Sequence, residues 1–312
     1  MTVIATTEVA SPYPIVTEVE LPEVADLVRR SHEQQWQPLA DIPWHTFDDV
    51  EINDEVRAAA ATFWSLRAWM EHGAVPYGAE RLRQAIAEHR PYEVKAHLVN
   101  FIREETRHFE ASYLVAERFG GFQPGPTESY FEAIIPRFHD EREEQELSFY
   151  ANLFLNTLFE SLSGDLLQDR YRNAVVPAIK EVNKLILADE GRHIRFGKIL
   201  MQHKLDDITD LERRSIESKF EAKLRTSLLR GVYAVTNLPD DMQQVAGQAR
   251  RLTAQHGLGA TDPDDEPTIL RNALRRLRRE VAPLDIRLPH FPEIGDHPDD
   301  TTTPGPPPGD RR

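Results

Sequence analysis

Two five-residue segments constrain this chain more than any other feature: Glu104-Glu105-Thr106-Arg107-His108 and Asp189-Glu190-Gly191-Arg192-His193. In each, a glutamate and a histidine stand at i and i+3, so on a helix both side chains share one face and can reach one metal ion. A further glutamate precedes each segment inside an apolar helical pattern. Glu71 lies 34 positions before Glu105, and Glu160 lies 30 before Glu190. A carboxylate on an apolar stripe is costly to bury unless it is paired or ligated. Four glutamates and two histidines in two similar halves form the ligand set of a carboxylate-bridged di-metal site in a four-helix bundle. The chain is therefore expected to be all-α, a bundle with additional flanking helices.

The apolar spacing places the four helices. The first is capped by Asn53 and carries Trp64, Ala68, Glu71 and Val75 on one face; Pro76 should interrupt it, with resumption over residues 77–89. Pro91 opens the second, whose stripe includes Leu98, Phe101, Glu105 and His108 and which stops at Gly120-Gly121. The third is expected to begin in the acidic run 141–146, with Phe149, Leu153, Glu160 and Gly164 on its stripe. The fourth starts near Pro177 and carries Val182, Ile186, Glu190, His193 and Gly197. Around this bundle core, residues 51–205, lie an N-terminal arm with a short helix (1–50), further packing helices (206–290) and a disordered tail (291–312). Single helices are expected over 208–237 and 239–256. Trp36 and Trp44 read as packing anchors. The arginines flanking Leu270, Leu274 and Leu277 either dock an acidic carrier protein or form a solvated or subunit-contact face.

The chain has no cysteine, which excludes disulfides, thiolate metal sites, iron–sulfur clusters and a thiol nucleophile. A formal charge of −15 argues against nucleic-acid and anionic-membrane partners. The N-terminus lacks the basic and apolar regions of a signal peptide, so a cytoplasmic location is expected. Carboxylate and imidazole donors without thiolate suit iron rather than structural zinc. On this reading Glu105 and Glu190 bridge two metals. Glu71 and His108 complete one, and Glu160 and His193 the other. Glu104 and Asp189, one step off the ligand face, are either acceptors for the imidazole N–H of the opposite motif or helix-surface ion pairs.

At these residues, over about 55–205, the chain resembles the ferritin-like di-iron carboxylate oxygenases. The spacing of glutamate before an acidic-Glu-x-x-His motif resembles the di-iron aryl-amine N-oxygenases. EETRH and DEGRH also resemble the corresponding motifs of the soluble acyl-carrier-protein desaturases. The N-oxygenases carry a further histidine one turn before the second motif's glutamate, where this chain has Ile186. Where the desaturases carry a threonine after the third glutamate, it has Ser163 beside Gly164. The resemblance implies two iron ions, O2 as co-substrate and an external electron donor, a ferredoxin or a reductase. Three activities are open: hydroxylation or N-oxygenation of an organic substrate, desaturation of a carrier-tethered acyl chain, and ferritin-like iron or peroxide handling. A long, narrow apolar tunnel beside the metals would favour desaturation, and a short, partly polar cavity oxygenation. A homodimer is compatible with each.

Overall fold

The computed structural model describes residues 18–123, 147–235 and 243–298 of the 312. Among them are α1 (Pro22–Glu33), α2 (Asp54–Ala87), α3 (Tyr92–Arg118), α4 (Phe149–Asn173), α5 (Pro177–His203), α6 (Asp210–Thr226), α7 (Gln248–Gln255) and α8 (Glu266–Val281). The described residues contain no strand. Two antiparallel hairpins, α2–α3 and α4–α5, pack into a four-helix bundle, and α1 and α6–α8 lie against it.

The Asn53 side chain caps α2 by accepting from the Val56 N–H at 2.9 Å, with Asp54 and Glu55 in the first turn. Pro76 does not interrupt this helix, contrary to expectation; α2 continues through it to Ala87. An interior proline costs about 3 kcal/mol, but each large apolar side chain that α2 buries, such as Phe63 and Trp64, returns roughly 1.5–3 kcal/mol. Gly78, just past the proline, lets α3 approach closely: a Cβ there would stand 2.7 Å from Phe101 Cδ1. Pro91 occupies the N-cap of α3, and Gly120 and Gly121 end the helix with φ of 117° and 128°.

α4 starts at Phe149, three residues beyond the acidic run expected to form its first turn; that run and the preceding 124–140 lie outside the described residues. The helix expected over 208–237 ends at Thr226. The chain then turns through Leu228–Arg230 and Gly231, whose φ is 127°, with the Tyr233 N–H on the Leu228 carbonyl at 2.7 Å. Turning back buries Leu228, Leu229, Val232, Tyr233 and Val235, which a straight helix would leave facing partly outward. The following segment is a π-turn, Gln243–Gly247, leading into α7, rather than one helix from 239; residues 236–242 are outside the described set.

α8 lays Leu270, Ala273, Leu274 and Leu277 into the core. Three of its arginines are used within the chain: Arg276 pairs with Asp165 of α4 at 2.6 Å, Arg278 with the buried Asp296, and Arg271 donates to the Ile294 carbonyl at 2.9 Å. These contacts tie down 291–298, where a disordered tail was expected, and Phe291 and Ile294 are buried there. The rest of the expected tail, 299–312, is outside the described residues. No helix among the described residues is long and apolar enough to cross a membrane.

Candidate metal centre

The bundle brings Glu71 of α2, Glu105 and His108 of α3, Glu160 of α4, and Glu190 and His193 of α5 to one place. Glu71, Glu105, His108 and Glu190 offer donor atoms within 4.8 Å of one another, and so do Glu160, Glu190 and His193. The two carboxylates from the repeated motifs lie between the imidazoles. Glu105 places Oε2 at 3.5 Å from His108 Nδ1 and Oε1 at 3.3 Å from His193 Nδ1. Glu190 repeats this, with Oε1 at 3.5 Å from His108 Nδ1 and Oε2 at 3.4 Å from His193 Nδ1. Glu71 stands on the His108 side at 3.9 Å, while Glu160 groups with His193 and accepts from Asn156 Nδ2 at 3.0 Å.

These helices converge because their contacts are close. Gly197, one turn past His193, faces Thr157 of α4 so tightly that a Cβ would overlap the threonine side chain. Any larger residue there would push Glu160 away from His193. Gly164 does not open the centre: its Cβ position meets Ile194 Cδ1 at 3.1 Å, so it faces α5 and not the ligands. Ile186 is wholly buried and adds no donor.

Glu104 and Asp189 are buried, not surface ion pairs, and they work crosswise. Glu104 of α3 lies 2.8 Å from His193 Nε2 on α5, and Asp189 of α5 lies 3.1 Å from His108 Nε2 on α3. The arginine of each motif also reaches the opposite acid: Arg192 donates to Glu104 at 2.7 Å and Arg107 to Asp189 at 3.1 Å. Two further donors come from the N-terminal region. Ser31 Oγ donates to Glu104 at 2.7 Å, and Trp36 Nε1 donates to Asp189 at 2.9 Å while its ring stacks over His108. Trp36 is therefore more than the packing anchor expected from its position. Arg67, one turn before Glu71, holds Glu71 at 3.2 Å and Asn183 at 3.0 Å.

Burial pushes the Glu104 and Asp189 carboxyls upward, but the hydrogen bonds and charge of His193, His108 and Arg192 outweigh it and hold both below the usual range. Burial likewise opposes charge on His108 and His193, yet the surrounding carboxylates raise both well above 6.5. Burial, reinforced by neighbouring carboxylates, raises Glu160 well above 4.5, and burial also raises Glu71. Without a metal, protons on His108, His193, Glu71 and Glu160 thus offset part of the negative charge that converges here. The buried orphan atoms show what the site fits: His108 Nδ1, His193 Nδ1 and Glu190 Oε2 have no hydrogen-bond partner, whereas both Nε2 atoms are engaged. Two divalent cations would neutralise the four carboxylates and take up these free donors. His97 is a third buried imidazole, but it stacks on Phe196 at 3.9 Å, and burial holds it neutral with a pKa of about 3.

If Glu104 and Asp189 orient the imidazoles, Glu104→Gln and Asp189→Asn should each lower metal affinity about 10–100-fold. Competition titration against a chelator measures this, and unchanged affinity would reduce both residues to structural ion-pair partners.

A cavity of about 160 Å³ opens against Glu71, Glu105, Glu160 and Glu190. Apolar residues such as Phe63, Met70, Phe159 and Leu166 make most of its wall, and Asn156, Ser163 and several cationic side chains interrupt it.

No family model and no curated protein matches the chain. Among solved structures it is similar to a variant of an R2-like ligand-binding oxidase with an aerobically reconstituted Mn/Fe cofactor, at 14% identity, over 80% of this chain and 100% of that one, with a TM-score of 0.40. That likeness is too distant to bear on the site.

Proposed function

We propose that the protein is an O2-dependent di-metal oxygenase that hydroxylates or N-oxygenates a small organic substrate with electrons from an external donor. The observation that favours oxygenation over acyl desaturation is the cavity. It is compact and partly polar, comparable to one that holds a benzene-sized guest at about 150 Å³. An acyl chain of fatty-acid length needs a long tunnel.

Glu71, Glu105, Glu160, Glu190, His108 and His193 would hold two iron ions, which supply the electrons that open dioxygen when bound. The same oxygen and nitrogen donors also suit manganese at either position. The chain's own part is positional. Glu105 and Glu190 present one oxygen to each side. Glu104 and Asp189 fix the rings by holding the proton at Nε2, leaving Nδ1 as the free donor. Arg67 holds Glu71 between the cavity and the metals. The apolar wall excludes water from the face where substrate sits. Overall, one atom of O2 enters the substrate and the other leaves as water, with two electrons and two protons from the donor side.

The ferrous-loaded protein, mixed anaerobically prepared with oxygenated buffer, should consume O2 within seconds at about two irons per chain. Slow oxidation with uptake of many irons into a ferric mineral would instead mean iron storage.

A further inference from the structure

The cavity wall carries four cationic side chains as well as its four glutamates. Arg67, Arg170, Lys223 and Arg250 all line it. Two of these guanidiniums are committed within the protein. Arg67 is held by Glu71 and Asn183. Arg250 pairs with the buried Glu266 and donates to the carbonyls of Gly231, Val232 and Tyr233. The cavity's four glutamates belong to the metal cluster. Arg170 is different. It makes no ion pair among the described residues, and its Nε, sealed from solvent, has no hydrogen-bond partner. Its guanidinium lies against the Phe63 ring, 5.6 Å from the centroid. Burial and the positive charges of Arg67 and Arg250 work against its protonation, the more distant charges of Glu266 and Glu71 support it, and a guanidinium stays charged at neutral pH. A half-buried cation in such a place has room for an anion in direct contact, which neither Glu266 nor Glu71 supplies.

The position of that missing anion is set by the bundle. Phe63 faces Arg170 and Tyr77 reaches the Asn152 carbonyl, so α2 and α4 run antiparallel along the cavity. Glu71 and Glu160 lie between these two contacts. Ten residues of helix separate Glu160 from Arg170, a rise of about 15 Å. Ser163, Leu166 and Leu167 line the path between them. The cavity therefore has a metal end and a cationic end, joined by an apolar middle.

Resting on the oxygenase reading above, we propose that the substrate is a compact organic carboxylate whose anionic group is bound by the Arg170 guanidinium. The apolar body of the molecule then lies along Leu166 and Leu167, and the atom to be oxidised is presented to the Glu71–Glu160 end. A planar fork of donors matches a carboxylate in two-point contact, which fixes orientation as well as position. The cavity volume limits the body to about one aromatic ring or a short chain.

The test is calorimetric titration of the anaerobic, ferrous-loaded protein with benzoate and hexanoate, each compared with its neutral amide. At least one carboxylate should bind about tenfold or more tightly than its amide, the range expected for a hydrogen-bonded charged group. Arg170→Gln should remove that preference while metal content stays unchanged, and Arg170→Lys should keep part of it. Arg170→Met should also leave the ligand-free protein equally or more heat-stable, because an uncompensated charge is gone; a purely structural arginine would destabilise on removal. No preference in the natural protein overturns the proposal outright, whatever the variants do. A preference that survives Arg170→Gln overturns it too, because the anion would then be sitting on the metals. None of these measurements needs turnover, so they fail or succeed independently of the O2-consumption test.

Discussion

Glu190→Ala is expected to empty both metal positions at once, taking metal content from about two ions per chain to near none. The two oxygens of Glu190 stand 3.5 and 3.4 Å from different imidazole nitrogens, so neither side keeps its set when that carboxylate is gone. Glu105→Ala should do the same, since its oxygens divide in the same way at 3.5 and 3.3 Å. Glu71→Ala and Glu160→Ala are expected to behave differently. Each of these residues faces one imidazole, so each variant should retain about one ion. Elemental analysis of the four purified variants separates these outcomes. Retention of one ion in both Glu105→Ala and Glu190→Ala would remove the bridging assignment. A thermal scan of each metal-free variant separates loss of metal from loss of fold, since Glu190 also supports the charged imidazoles.

Removing the metals should lower the thermal midpoint by on the order of 10 °C, taking two sites each worth about 2.7 kcal/mol at a hundredfold excess over Kd. The pH dependence of that gap carries more information than its size. In the metal-free protein His108, His193, Glu71 and Glu160 all have raised pKa values. A raised histidine binds its proton more tightly folded than unfolded. Its contribution is therefore complete below 6.5 and is lost as pH climbs through the folded value. The raised glutamates act in the same direction, since folding holds them protonated at pH values where the unfolded chain has released them. Glu190, lowered to about 2 by the charge and hydrogen bonds of the histidines against the upward push of burial, acts only in acid, below 4.5. Between pH 6.5 and 8 the metal-free protein should therefore lose stability. The metal-loaded protein, whose ligands no longer hold those protons, should not. Each proton displaced widens the gap by about 1.4 kcal/mol per pH unit. Calorimetric scans of loaded and chelated protein across this range measure it, and a gap that stays constant or narrows would mean that protons and metals do not compete for these residues.

The ligand-bearing faces were legible in the sequence because they follow a helical period. Glu105 with His108, and Glu190 with His193, are separated by one turn, and Glu71 and Glu160 lie on apolar stripes that have few other reasons to hold a carboxylate. The crosswise use of Glu104 and Asp189 could be anticipated from their place beside the ligands, though surface ion pairs were an equal reading. Ser31 and Trp36 could not be found in this way. Their partners are 73 and 153 residues distant, and no local spacing encodes such a contact. Arg170 is hidden for a related reason: no local spacing tells that its Nε is buried without a hydrogen-bond partner among the described residues. Local rules misled where tertiary packing overrode them. Helix α2 passes through Pro76, and the chain after α6 bends at Gly231 to bury a cluster of apolar side chains. Gly164 was placed correctly on its helix but one face away from the ligands, because the stripe that includes Glu160 turns toward Ile194 by the next turn.

The crosswise pairing of acids and imidazoles has a consequence for how the molecule assembles. Each hairpin joins helices close in sequence and can form from local contacts, which is fast. The centre itself is made of pairings between residues more than 80 positions apart, such as His108 with Asp189 and Glu104 with His193. Neither hairpin alone contains a ring together with the acid that orients it. The unfolded chain offers only scattered carboxylates, and a single docked hairpin only half a coordination sphere. Ordered rings therefore arise only when the two hairpins have met in the right register, so metal capture follows docking and then makes it hard to reverse.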